Sequence, residues 1–358
     1  MKKVVLISSV LLVLAVLAIP AFAAEKMKPV TLKVASPFPP PETSLGTKHL
    51  SVWQKMVTDY TGGAVTFKNY YTGAMGKPAE HLSLVKTGAV DMIVTWGWYT
   101  PKDLPLEDYD YAFPFGPTDP LILTKAMRQI YEEFPQFKKD FDRNNAVKIF
   151  QSPGTTEVFL TKSKITSLNE VKGKKCKAMG RYFGRWLEAA GMSPVSAPAG
   201  EVYTMLQTGV IEMAMDTKDL LYAFKIIEQG THVLDPELLA TNWVGTYMNM
   251  NTFKKLPVDV QEFILDSGKK IEIVAASEIN PAWEKMIFDN WKKTPGYSYT
   301  KMSDAERQKW AAACPDTPAE WAAEVNKMGY PGDQIVQRFQ ELTAQMGHKW
   351  VRNWGVKK

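Results

Sequence analysis

The chain has 358 residues, 45% of them hydrophobic, and a formal net charge of only +5 from 43 basic and 38 acidic residues. This composition is typical of a globular protein with a substantial core and excludes a chain that is disordered throughout. Such a mixed surface charge gives no strongly basic face for nucleic acid or an anionic membrane, so we expect neither as a partner.

The first 23 residues have the pattern of a secretory signal peptide. Two lysines precede an apolar run over residues 4–19, and the segment ends in the small-x-small letters AFA, of which Ala23 is the last. We predict cleavage near Ala23 and export to the periplasm. The mature chain would keep about 335 residues, enough for two domains. The alternative, a membrane anchor, is weaker because the apolar run is short for a span.

The mature chain begins with a strand, a helix and a second strand. The letters VTLKVAS over residues 30–36 alternate apolar and polar positions and predict a strand, which a proline-rich loop containing Phe38 follows. Residues 45–60 carry apolar side chains at helical spacing, and the glycines of 61–63 end that helix. A second strand is expected over residues 64–70.

Two segments share a register that indicates an internal repeat. Residues 80–95 read EHLSLVKTGAVDMIVT, and residues 201–216 read EVYTMLQTGVIEMAMD. In each segment an acid begins a helix, a glycine ends it, and a short strand follows. Any helix–glycine–strand junction could look similar, but the shared offsets favour a true correspondence. We therefore expect two similar α/β lobes, each of which sends a strand toward one cleft.

Residues 171–216 predict the parallel sheet of the second lobe. Strand-like and helical runs alternate there, as is typical of βαβ units: 174–179, 182–190, 194–197, 201–208 and 210–215. Ligands of open parallel sheets bind at the carboxyl ends of the strands. This rule places the candidate site at residues 177–181 and 215–218.

Domain boundaries follow from the points where strands are expected to cross between the lobes. We assign residues 24–150 plus about 242–285 to the first lobe, and residues 151–241 plus about 286–358 to the second. A long helix over 259–291, with a kink or break at Pro281, would run along both lobes.

The sequence contains no evident catalytic or metal-binding motif. Its four histidines are far apart, and no Gly-x-Ser-x-Gly or Cys-x-x-Cys sequence occurs. We therefore expect a binding protein without cofactor or metal, and not an enzyme. A secreted two-lobe hydrolase remains an alternative, because catalytic triads assemble in space from distant positions. Cys176 and Cys314 are interpreted as buried free thiols in preference to a disulfide.

Several segments resemble, in order, the solute-binding proteins of TRAP (tripartite ATP-independent periplasmic) transporters, of the C4-dicarboxylate-receptor-like kind. The letters EVYTMLQTGVIE at 201–212 resemble the family's E-V-Y-x-A-L-Q-x-G-V-x-D, and VKGKKCK at 171–177 resembles its L-K-G-x-K-I-R. Segments TGG at 61–63, YTGAMG at 71–76 and KLPVDVQ at 255–261 match others. The resemblance implies a type II-like periplasmic-binding-protein fold, whose two lobes close over a solute and deliver it to small and large membrane permease subunits.

The resemblance also implies an anchor for the solute. The family's K-I-R segment ends in an arginine that binds a carboxylate, and that position is Lys177 here, with Arg181 as the alternative cation. The other candidates for ligand contact lie at strand ends, in loops or near a crossover between the lobes. The full set of candidate ligand-binding residues is Lys177, Arg181, Trp96, Trp98, Glu80, Asp216, Phe38 and Trp243. All of these except Asp216 also have an ordinary structural interpretation: surface charge for the cations, a helix-start acid for Glu80, and core packing for the aromatic side chains.

A site with cations, acids and several aromatic side chains fits a small organic acid with an apolar body. Aromatic, hydroxy-, keto- or amino acids would place that body against the tryptophans and their carboxylate on Lys177 or Arg181. The same cleft could serve a sensor that feeds a signalling receptor, so that role remains an alternative to transport.

Overall fold

The computed structural model describes residues 27–240 and 244–355, so the predicted signal peptide and Trp243 lie outside the described residues. The strands are β1 Val30–Ala35, β2 Val65–Tyr70, β3 Met92–Thr95, β4 Ala146–Ser152, β5 Glu157–Thr161, β6 Lys175–Ala178, β7 Ser193–Ser196, β8 Met213–Thr217, β9 His232–Asp235, β10 Val244–Asn249 and β11 Ser298–Lys301. The helices are α1 Leu45–Tyr60, α2 His81–Thr87, α3 Pro120–Glu133, α4 Gln136–Arg143, α5 Phe183–Ala189, α6 Ala199–Thr208, α7 Lys218–Ala223, α8 Met250–Lys254, α9 Val258–Val274, α10 Asn280–Trp291, α11 Asp304–Ala313, α12 Thr317–Lys327 and α13 Gly332–Gln345.

The strands form two separate sheets, and each sheet with its helices makes one lobe. The first sheet has the order β2-β1-β3-β10-β4, and the second has the order β11-β9-β5-β8-β6-β7. β1 runs parallel to β2 and β3, and β6 runs parallel to β7 and β8. β10 runs antiparallel to β3 in the first sheet, and β5 runs antiparallel to β8 in the second, so both sheets are mixed. This arrangement confirms the predicted two-lobe α/β fold.

The internal repeat is visible as matching backbone geometry in the two lobes. α2 ends at Gly88 and α6 ends at Gly209, and both glycines have a φ of 76°. A left-handed residue at this position is most easily a glycine, because it has no Cβ to collide with the backbone. Each glycine is followed by an inner strand of its sheet, β3 or β8, so the helix–glycine–strand prediction is confirmed.

The long helix predicted over 259–291 is also present, with an irregularity near Pro281. α9 and α10 are joined by a π-helical turn over Ala275–Ile279. Pro281 lies in the first turn of α10 and cannot donate a backbone hydrogen bond, which accounts for the local change of pitch. α9 packs on α1 and β4 of the first lobe, whereas α10 packs on α7 of the second.

The C-terminal helices, which the sequence assigned to the second lobe, contact both lobes. The indole of Trp310 donates to the carbonyl of Trp186 at 2.7 Å, and that of Trp321 donates to Asp108 Oδ1 at 3.2 Å. Cys176 and Cys314 are buried and free, as expected. No helix among the described residues has the length and hydrophobicity needed to cross a membrane.

Candidate ligand-binding site

One cavity lies between the two lobes, where the parallel strands end. It encloses about 820 Å³, which includes space open to solvent. Its walls come from the loops after β1, β3, β6 and β7, the last residues of β8, and the start of β5. The carboxyl ends of strands from both sheets therefore meet at one place, as expected for a ligand site in this type of fold.

A buried ion pair lies in the second-lobe wall of this cavity. The Nζ atom of Lys177, on β6, is 2.6 Å from Oδ2 of Asp216, on the neighbouring strand β8. The same ammonium lies 3.4 Å from the carbonyl oxygen of Met215. The two side chains are only 2% and 4% exposed, so the pair is shielded from water. Burial of an ion pair costs desolvation energy, which the short contact between its partners offsets.

Aromatic rings form the first-lobe wall. Phe38 meets Trp96 edge-on at 4.5 Å between ring centroids, and Trp98 lies 5.3 Å from Trp96 and 4.7 Å from Tyr111. Such offset and edge-to-face contacts are the preferred geometry of aromatic side chains. Tyr99 belongs to the same wall, where burial and the nearby carboxylate of Asp216 raise its pKa to about 12. Its hydroxyl is therefore protonated at neutral pH.

Trp96 and Trp98 reach the cavity from a turn just beyond the end of a strand. β3 ends at Thr95, and a 3₁₀ turn follows over Gly97–Tyr99. A side chain on Gly97 would place its Cβ 2.2 Å from the Cβ of Glu107. The tight turn therefore depends on glycine. It places the side chains of Trp96, Trp98 and Tyr99 in the cavity wall.

Two hydrogen-bond donors in the aromatic wall are unsatisfied. The indole nitrogens of Trp96 and Trp98 are buried and have no hydrogen-bond partner among the described residues. An unsatisfied buried donor destabilises the fold, and native proteins contain few of them.

Five of the eight candidate residues line the cavity: Lys177, Asp216, Phe38, Trp96 and Trp98. The structure places Arg181 outside it, in an ion pair with Glu324 and with its guanidinium 5.0 Å from the ring of Tyr182. Glu80 also lies outside the cavity. Its carboxylate accepts a hydrogen bond from the backbone N–H of Lys77 at 2.8 Å. Its contacts are those of the helix-start acid that we gave as the structural interpretation.

Several cavity residues were not among the sequence candidates, namely Tyr111, Glu157, Phe183 and Phe224. Glu157 begins β5, which runs antiparallel to β8 and pairs Val158 with Asp216. The first residue of an antiparallel strand lies at the same sheet edge as the last residue of its neighbour. The antiparallel direction of β5 brings Glu157 to this edge, and no local sequence pattern indicates that direction. No group of three or more potential metal ligands occurs in the described residues.

The family is established by a match over most of the chain. Residues 38–324 match the model of the bacterial extracellular solute-binding protein family 7. The chain belongs to this family. A curated relative, a solute-binding protein of Sulfitobacter sp., is 23% identical over 260 residues, which cover 70% of this chain and 74% of the relative.

Solved structures of TRAP solute-binding proteins have the same fold. One from Desulfovibrio salexigens superposes with a TM-score of 0.76 at 22% identity, over 90% of this chain and 98% of that one. One from Rhodoferax ferrireducens, in complex with copurified benzoate, gives a TM-score of 0.74 at 22% identity, over 88% and 98%. These structures share the expected two-lobe architecture, and the family match makes this chain an extracellular solute-binding protein of family 7.

Proposed function

We propose that this protein is a TRAP receptor, which binds a small organic acid with an apolar body by closure of its two lobes. In this proposal the chain is exported, loses its signal peptide near Ala23, and delivers the solute to the small and large permease subunits in the membrane. The observation that carries the ligand class is the position of Lys177. Its ammonium is buried at the carboxyl end of β6 and lines the same cavity as the aromatic wall.

The two sides of the cavity suit the two parts of such a ligand. An ammonium group binds a carboxylate through charge-assisted hydrogen bonds, which are stronger in a cavity that excludes water. The aromatic rings of Phe38, Trp96 and Trp98 would cover the apolar body. The Rhodoferax ferrireducens receptor, which holds benzoate, supports a ligand that joins a carboxylate to an apolar ring, whatever other groups that ligand carries.

The direct test is to identify the solute that the protein carries. The receptor is purified without denaturation, the solute is released by unfolding, and mass spectrometry identifies it. We expect a small molecule with a carboxylate, and titration calorimetry with the authentic compound should give a 1:1 complex. Recovery of a sugar, a polyol or an amine without a carboxylate would contradict the proposal. Incubation with the solute should yield no product, whereas the hydrolase alternative requires turnover.

A further inference from the structure

The charged side chains of the cavity constrain the ligand beyond the class of organic acids. Among the described residues, three with formally charged side chains line it: Lys177, Asp216 and Glu157. Asp216 and Glu157 are buried, at 3% and 5% exposure, on the adjacent strands β8 and β5. The described part of the lining therefore contains one ammonium and two carboxyl groups.

A ligand whose only charge is a carboxylate fits this set poorly. Lys177 already bonds Asp216 at 2.6 Å, so a second carboxylate would share an ammonium that has an anionic partner. It would also lie near two like charges on buried side chains, where repulsion is stronger than in bulk solvent. A ligand with only an amine would approach the ammonium of Lys177 and would offer no acceptor to the unsatisfied indole donors of Trp96 and Trp98.

We propose that the solute is a zwitterion of the amino-acid type with an aromatic or large aliphatic side chain. Its carboxylate binds Lys177, its ammonium binds Asp216 and Glu157, and its side chain packs on the aromatic wall. This inference rests on the proposed function and narrows it, since every amino acid is also an organic acid. Both ligand charges then find opposite charges, and the faces of the aromatic rings favour the ammonium as well.

The test compares ligands that share one apolar body and differ only in their charged groups. The first series is L-phenylalanine, 3-phenylpropanoate and 2-phenylethylamine; the second is L-leucine, 4-methylpentanoate and 3-methylbutylamine. Titration calorimetry is run on the mature chain after removal of any bound solute by unfolding and refolding. In at least one series we expect the amino acid to bind at least about tenfold more tightly than either partner, the effect of one good charged hydrogen bond.

Substitutions in the cavity then assign the amine subsite. Asp216→Asn and Glu157→Gln keep the size of each side chain and remove its charge. Each should reduce the preference for the amino acid over the amine-free acid by about tenfold or more. The matched control is Glu212→Gln, because Glu212 is exposed and immediately precedes β8 at its opposite end, outside the cavity. It should leave the preference unchanged, and circular dichroism checks that each variant is folded.

The possible outcomes separate this inference from the proposed function. Amine-free acids that bind as tightly as the amino acids would overturn the zwitterion and leave the organic acid in place. Amines that bind most tightly would overturn both. Absence of binding by every compound in both series would overturn this inference, and the identity of the released solute would then decide the proposed function alone. If Asp216→Asn fails to fold, an unchanged preference in Glu157→Gln would still overturn the assigned amine subsite.

Discussion

The indole ring of Trp98 lies directly against the backbone of Gly180, across the boundary between the two lobes. A Cβ at position 180 would come within 2.9 Å of both Cε3 and Cζ3 of the indole. Trp98 follows β3 of the first lobe, and Gly180 follows β6 of the second. A glycine with a φ of 85° thus allows an aromatic side chain of the cavity wall to contact the opposite lobe.

Gly180→Ala should therefore weaken both the fold and solute binding. The left-handed backbone costs an alanine about 1–2 kcal/mol, and the added methyl group must displace the rigid indole of Trp98. Because Trp98 lines the cavity, its displacement should lower solute affinity. Urea unfolding and calorimetry with the solute recovered from the protein measure the two effects separately.

Gly173→Ala is the matched control for this substitution. Gly173 has a similar φ of 73°, but nothing lies within 4 Å of a Cβ at that position. Gly173→Ala should lower the free energy of unfolding by the same backbone contribution of about 1–2 kcal/mol and leave the solute affinity unchanged. Equal affinities for the two variants would mean that the contact between Trp98 and Gly180 has no part in binding.

The Lys177–Asp216 pair should dominate the stability of the cavity wall. Lys177→Met leaves the carboxylate of Asp216 buried without its cation, which should lower the free energy of unfolding by about 3–5 kcal/mol. The double variant Lys177→Met/Asp216→Asn has no such uncompensated charge and should recover part of that loss. Lys174→Met removes an exposed ion pair with Glu212 and should cost at most about 1 kcal/mol. A double variant less stable than Lys177→Met would contradict this account.

Local pattern was sufficient to predict much of the fold. The apolar spacing and the glycines that follow it predicted the bounds of α1. The glycines at the same offset in residues 80–95 and 201–216 predicted two equivalent helix–strand units. The stretches that contain Lys177 and Asp216 were predicted because both lie near the carboxyl ends of parallel strands, and the family resemblance then singled out Lys177. These features depend on contacts between residues close in sequence, or on the general geometry of parallel sheets.

The remaining site residues depend on contacts that no local pattern encodes. Arg181 is as basic as Lys177 and follows β6 by three residues, and only the packing of α12 brings Glu324 to it. Glu157 depends on the antiparallel entry of β5 beside β8. Phe183 and Phe224 enter the cavity from the region of helices α5 and α7, where an apolar residue is ordinarily part of the core. Contacts between residues distant in sequence, and not residue type, therefore decide which of these side chains line the cavity.

His49 should make the fold less stable in mild acid. Burial lowers its pKa to about 3, although its Nε2 lies 2.9 Å from Oδ1 of Asn280 on α10. The unfolded chain, with a histidine pKa near 6.5, binds the proton first, so this contribution to stability is complete above about pH 6.5 and is lost as pH falls toward 3. Between pH 7 and pH 5, the free energy of unfolding should fall by about 2 kcal/mol relative to His49→Gln.

The comparison with His49→Gln isolates this histidine from groups that titrate in the opposite sense. Burial raises the pKa of Asp108 to about 6, so its contribution is present at low pH and is lost as pH rises through that value. That carboxyl group is present in both proteins, and its effect cancels in the difference. Urea unfolding at the two pH values gives the measurement. A stability difference that does not change with pH would show that His49 is protonated to the same extent in both states.

Lys177 and Arg181 should differ sharply in their effect on solute affinity. Lys177 lines the cavity, whereas Arg181 is paired with Glu324 and lies outside it. Lys177→Gln should therefore weaken binding of the recovered solute by about tenfold or more, since it removes one charged hydrogen bond. Arg181→Gln should change affinity by less than about threefold, because it affects only a half-exposed ion pair. Calorimetry on both variants, with circular dichroism to confirm folding, makes the comparison. The opposite ranking would move the carboxylate anchor to Arg181 and would require the loss of its contact with Glu324 when the solute binds.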